Sequence, residues 1–108
     1  MKTSVFGSPL RDRILLLLSL IGDSYPSELA DKLDAPLFSV QRTVDALQNS
    51  GIVASRPIGT IRSVQLDRTW YAARELRVLL TRMTEAHPDM KTLAASVRRR
   101  PRRAGKTI

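Results

Sequence analysis

Residues 25–53 read YPSELADKLDAPLFSVQRTVDALQNSGIV, and the punctuation of this stretch decides the fold. Pro26 tolerates the first position of a helix, so a short helix opens at Pro26, Ser27 and Glu28 with Leu29, Ala30 and Leu33 facing inward. Asp34 and Ala35 make a tight break, because Asp is one of the few residues besides Gly that accepts a left-handed turn. Pro36 then restarts a helix, in which Val40, Val44 and Leu47 recur at i, i+4 and i+7 and form the buried side. At about 100° per residue, Phe38, Arg42 and Asp45 point nearly opposite, flanked by Ser39 and Gln41. Asn49, Ser50 and Gly51 end that helix, Gly being the usual residue past a helix terminus.

Upstream, Ser8 and Pro9 form a helix start, Ser as a cap and Pro at the first helical position, and Gly22 ends the helix. Leu10, Ile14, Leu17, Leu18 and Ile21 make one stripe, yet Leu15, Leu16 and Leu20 occupy other faces. A helix so apolar needs covering on two sides. Its own core and a second subunit would do this, or the monomer alone could sandwich it. The apolar run Ile14 to Ile21 is far below the ~20 residues of a membrane span. It leads through Gly22 and Pro26 into another helix and not to a cleavage site of small residues, which argues against an export leader.

Downstream, Ile52 to Arg56, a bend at Pro57, Ile58, Gly59 and Thr60, and the β-branched-rich run Ile61 to Leu66 read as a two-stranded hairpin. Asp67 or Thr69 would cap a longer helix running to about Ala86. Its inner stripe is Ala72, Leu76, Leu79, Leu80 and Met83, with Arg74, Arg77, Arg82 and Glu85 outside. Pro88 stops it, and a short amphipathic segment follows with Met90, Leu93, Ala94 and Val97. The expected organisation is an N-terminal arm (1–7), a helical domain with its hairpin (8–66), C-terminal helices suited to dimerisation (67–97) and a disordered basic tail (98–108).

The 108 residues suffice for one domain. Eighteen Lys and Arg against ten Asp and Glu give a net charge of +8, which favours a polyanionic partner, nucleic acid before an anionic membrane. The charge is unevenly placed: Arg98, Arg99, Arg100, Arg102, Arg103 and Lys106 supply six of the eight net charges. Residues 21–35 are net −3, whereas residues 36–77, which hold the third helix and the hairpin, are net +3. The absence of Cys excludes disulfides and thiolate metal sites and fits a reducing, cytoplasmic setting. The lone His87, with Glu85 and Asp89 around Pro88, gives no fixed coordination geometry, so no metal or other cofactor is expected. No Ser/His/Asp set, paired carboxylate site or Gly-rich phosphate loop points to an enzyme.

Helix, short helix, tight turn, helix and β-hairpin is the order of a winged helix-turn-helix. The motifs Tyr25-Pro-Ser-Glu-Leu-Ala-Asp-Lys-Leu33, Ser39-Val-Gln-Arg-Thr-Val-Asp-Ala-Leu47 and Asn49-Ser-Gly-Ile-Val53 resemble the bacterial ArsR-type winged-helix transcription regulators, over about residues 8–83. The resemblance implies a mainly α fold with a small β-hairpin, and a recognition helix from Leu37 to Gln48. Phe38, Ser39, Gln41 and Arg42 would face the DNA major groove, and Arg56 and Arg62 would lie on the wing. Pro36 and Asp34 depart from the family's usual Ser or Thr cap and Gly, which bears on the angle at which the helix inserts. The metal-sensing members bind through Cys and His residues that this chain lacks, so metal sensing is not implied.

The chemistry of the outward residues agrees with that implication. Arg can take two acceptors of guanine and Gln can pair with adenine, making Arg42 and Gln41 the expected base readers. Ser39 suits a phosphate or a base edge, while Phe38 either touches thymine methyls or folds back onto the second helix. The expected function is sequence-specific transcription regulation on double-stranded DNA. A homodimer, held by the first helix and the Trp70 to Ala86 helix, would occupy an inverted repeat with half-sites about one turn apart. The tail arginines would add sequence-independent affinity through phosphates or the minor groove. No membrane partner is expected, and a small-molecule or protein effector is left open. The rival reading is a protein-interaction module whose nucleic-acid binding is non-specific, since one fold serves several jobs.

Overall fold

The structure is a computed structural model and describes residues 4–97. Five helices and three short strands follow one another as α1 (Pro9–Ile21), β1 (Asp23–Ser24), α2 (Pro26–Leu33), α3 (Leu37–Asn49), β2 (Val53–Ile58), β3 (Ile61–Leu66), α4 (Ala73–Glu85) and α5 (Pro88–Ala95). Ser8 caps α1 by accepting the Arg11 N–H at 3.0 Å, with Pro9 at the first position, as the sequence predicts. Ahead of it, Asp12 accepts the backbone N–H groups of Val5 and Phe6, which ties the preceding residues to the helix and lays Phe6 against the core.

In α1 the five consecutive residues Ile14 to Leu18 are all buried. The helix packs against α4 and α5 on one side and against α2, α3 and β3 on the other. The chain itself covers Ile14 to Leu18, while Leu20 of the same helix stays 36% exposed.

Asp34 adopts φ 53°, ψ 50°, so the turn between α2 and α3 is the left-handed one read from the sequence. Arg13 of α1 donates to the Leu33 carbonyl at 3.2 Å and pins the end of α2 just before this turn. Ser24, buried at the start, donates to Glu28 at 2.6 Å. Val40, Val44 and Leu47 of α3 are buried, in line with their spacing.

The sheet has three strands in the order β1-β3-β2, all antiparallel, not the two expected. The missed strand, β1, is two residues long and carries no pattern of its own. It exists because Asp23 and Ser24 lie opposite Gln65 and Val64. The hairpin turn is also tighter than expected. Pro57 and Ile58 belong to β2, and only Gly59 and Thr60 connect the strands. Gly59 has φ 62° at the first turn position, where a II′ hairpin turn calls for Gly.

The last long helix begins at Ala73, later than Asp67 or Thr69 would place it. Asp67 caps a local turn instead, its carboxylate accepting both the N–H (2.8 Å) and the hydroxyl (2.6 Å) of Thr69. These two bonds hold the Asp67 carboxyl below its ordinary pKa, the side-chain bond contributing more. Trp70 then packs over Gly51, whose φ is 85° and where an added Cβ would stand 3.1 Å from the indole. Within α4, Leu76, Leu80 and Thr84 are buried, whereas Leu79, expected inside, is 42% exposed. Arg74, Arg77, Arg82 and Glu85 are exposed as expected, with Val78 among them.

Candidate nucleic-acid interface

The face of α3 opposite its buried stripe carries Phe38, Gln41, Arg42, Asp45 and Gln48, all exposed, with Ser39 half-buried at its margin. The helix is positioned from three directions. Its inner stripe is sunk in the core, the left-handed Asp34 fixes its entry, and Gly51 with Trp70 fixes its exit.

Phe38 is 67% exposed. Most of the residue is thus open to solvent rather than covered by α2. Its ring lies under Arg42, one turn further along α3, with the guanidinium carbon 5.6 Å from the ring centroid. The backbone carbonyl of Ser39 accepts the Thr43 hydroxyl at 2.9 Å, a bond within the helix.

The wing hairpin stands beside α3 and is fastened to it. Arg62 of β3 donates from Nη2 to Asp45 Oδ1 at 2.9 Å and to Gln48 Oε1 at 2.8 Å, both on α3. Its Nε donates to Ser55 Oγ of β2 at 3.2 Å, and the Ser55 hydroxyl in turn donates to Gln48 at 2.7 Å. The register explains the convergence: Pro57 pairs with Arg62, so Ser55, two residues along β2, shares its face of the sheet. Arg62 lies on the wing, as expected, and its guanidinium is hydrogen-bonded to α3 there. The cations left exposed on α3, β2 and β3 are Arg42 and Arg56.

Sequence reasoning missed this latch. Asp45 and Gln48 are i, i+3 neighbours on the outward face, a visible signal, but their partner on β3 needs a tertiary placement no local pattern supplies. It missed the wing tip as well. Ile58 and Ile61 close the turn as a cross-strand pair and are 52% and 45% exposed. Arg98, Arg99, Arg100, Arg102 and Arg103 lie outside the described residues. Among the described residues no group of three His, Asp or Glu side chains is placed to hold a metal ion, and no helix is long and apolar enough to cross a membrane.

Protein-family profiles and curated protein sequences give no match to the chain. Solved structures do. The adhesin competence repressor AdcR of Streptococcus pyogenes superposes with a TM-score of 0.62 at 16% identity, over 79% of this chain and 63% of that one. A ZitR variant of Lactococcus lactis gives 0.61 at 17% identity over 84% of this chain and 69% of that one. YusO of Bacillus subtilis gives 0.57 at 16% identity over 83% and 76%. The chain thus spans less than two thirds of the AdcR length. Likeness at such identities concerns the fold, and with the order of elements, the three-stranded sheet and the hairpin fastened to α3, the fold of this chain is a winged helix-turn-helix.

Proposed function

We propose that the chain is a sequence-specific DNA-binding transcription regulator that inserts α3 into the major groove, with the wing alongside on the backbone. One observation carries this reading. A helix anchored by Val40, Val44 and Leu47 presents an aromatic ring, an amide and a guanidinium outward with no core-packing role among the described residues, beside a hairpin latched in a fixed orientation. A helix fits the major groove, where guanidinium and amide side chains match guanine and adenine edges. In this reading Arg42 and Gln41 select bases, Ser39 and Arg56 contact phosphate or base edges, and Phe38 supplies apolar contact. Arg62 positions the wing, and Arg98, Arg99, Arg100, Arg102 and Arg103 add phosphate contacts. The repressor named among the similar folds, and the ArsR-type motifs, support the same assignment.

The active form is a homodimer joined through α4 and α5. Val78 and Leu79 are large apolar side chains exposed on α4, and Leu20 of α1 is exposed as well. The protein acts in the cytoplasm, on the nucleoid. The test is binding of the full chain to genomic fragments at ~150 mM salt, where specific sites should stand at least about a thousandfold above bulk DNA. Enriched sites should be inverted repeats with half-sites about one turn apart. Uniform affinity across fragments would overturn the reading in favour of a protein-interaction module.

A further inference from the structure

We propose that Phe38 and Arg42 form a single reading unit for a 5-methylpyrimidine followed by guanine, favouring TG, and CG with a 5-methylated cytosine, over unmodified CG. The inference rests on the reading of α3 as the groove-facing helix and adds which chemical group that helix recognises.

Phe38 is a large apolar side chain left 67% exposed in the first turn of α3, a placement that packing within the described residues does not explain. Arg42 sits one helical turn on, and helical side chains lean toward the N terminus, so its guanidinium comes to rest 5.6 Å from the ring centroid. The two side chains therefore present one composite surface, a cation with two parallel donors beside an aromatic ring. In the major groove, guanine offers O6 and N7 as paired acceptors for such a fork. The 5-methyl group of the pyrimidine on its 5′ side projects into the same groove next to those acceptors. Arg42 on the guanine sets Phe38 against that methyl group, and the methyl fills the space beside the guanidinium plane. Cytosine lacks the methyl, so the apolar half of the surface then faces water. The cation–π contact also holds Arg42 near one conformation before binding, which lowers the entropy lost when the fork engages.

The experiment uses the full chain on a duplex from a randomised-site selection. Each thymine is replaced in turn by uracil, and in separate duplexes the TG step is replaced by CG with or without 5-methylcytosine. At one TG step per half-site, loss of the thymine methyl should weaken binding about three- to fivefold, as expected for one buried methyl group. The 5-methylcytosine duplex should bind more tightly than its unmodified CG counterpart by a similar factor. Phe38→Ala should abolish both effects while keeping the guanine preference, and Arg42→Ala should remove the guanine preference at the same step. Phe38 is exposed, so the Ala variant should melt within a few degrees of the parent, which separates lost contact from lost fold. The proposal is overturned if no uracil position changes affinity in a duplex the chain binds selectively, or if methyl sensitivity persists in Phe38→Ala. A chain that selects no sequence at all would overturn the DNA-reading assignment itself, a result distinct from selective binding that ignores the methyl.

Discussion

Replacing Arg62 with Ala separates two roles that the wing arginine could have, a clasp on α3 or a contact to DNA. Its side chain is 33% exposed and that of Asp45 is 61% exposed, so their 2.9 Å ion pair is screened and worth about 0.5 kcal/mol. The bonds to Gln48 and Ser55 add about 0.5 kcal/mol each, because groups at an open surface exchange protein partners for water. Nothing is left buried without a partner when the guanidinium goes, so no further penalty accrues and the total loss is about 1–2 kcal/mol. For a domain of this size that lowers the melting temperature by roughly 5–10 °C. Urea unfolding of the parent, Arg62→Ala, Asp45→Ala and the double variant should give a coupling energy of about 0.5 kcal/mol. On DNA, Arg62→Ala should weaken binding while leaving the slope of log affinity against log salt unchanged, since a clasp releases no counterion. A phosphate contact would instead lower that slope by about one. Additive single effects together with a slope reduced by one would refute the clasp.

Four further outcomes follow, three from the geometry and one from the charge of the C-terminal residues. Gly51→Ala should cost about 1–3 kcal/mol in thermal or urea unfolding, as it combines an unfavourable φ of 85° with a Cβ 3.1 Å from Trp70. Gly59→Ala, at φ 62° with open space around it, should cost only the backbone part, about 1–2 kcal/mol, so equal losses at the two sites would contradict the indole contact. Asp67 has its pKa lowered by Thr69, so its turn stabilises the fold above the ordinary aspartate range, and that contribution is lost as pH falls through the folded-state pKa. Asp67→Asn should therefore flatten the stability profile below about pH 4, and an unchanged profile would count against the turn. Removing residues 98–108 should lower the salt slope of DNA binding by up to about five if all six of its cations meet phosphates, whereas equal slopes with and without them would refute that role.

The elements legible in the sequence are those fixed by local chemistry. Ser8 with Pro9, Pro26, the left-handed Asp34 and the Val40, Val44, Leu47 spacing each specify a start, a turn or a face without help from elsewhere, and the structure has them all. The elements that were not legible depend on the rest of the chain. β1 is a strand only because Val64 and Gln65 lie beside it, and the late start of α4 follows from Asp67 binding Thr69 and Trp70 packing over Gly51. The apolar excess of α1 read equally well as an interface or as a core. Its contacts with α4, α5 and the helix-turn-helix place Ile14 to Leu18 in the core, while Leu20 stays exposed. At the interface, the outward face of α3 was legible as a wheel of residues. The bonding of Arg62 to Asp45 and Gln48 was not, since a charged side chain in a strand has no local sign of whether it meets solvent or a neighbouring helix.

The assignment of α3 as the base-reading element is tested most directly by randomised-site selection with the parent chain and with Arg42→Ala, under identical salt. A groove-reading α3 requires an inverted-repeat preference in the parent and, in the variant, the loss of about 1–3 kcal/mol of discrimination at one base pair per half-site with the other positions retained. Identical preferences in the two proteins would contradict it.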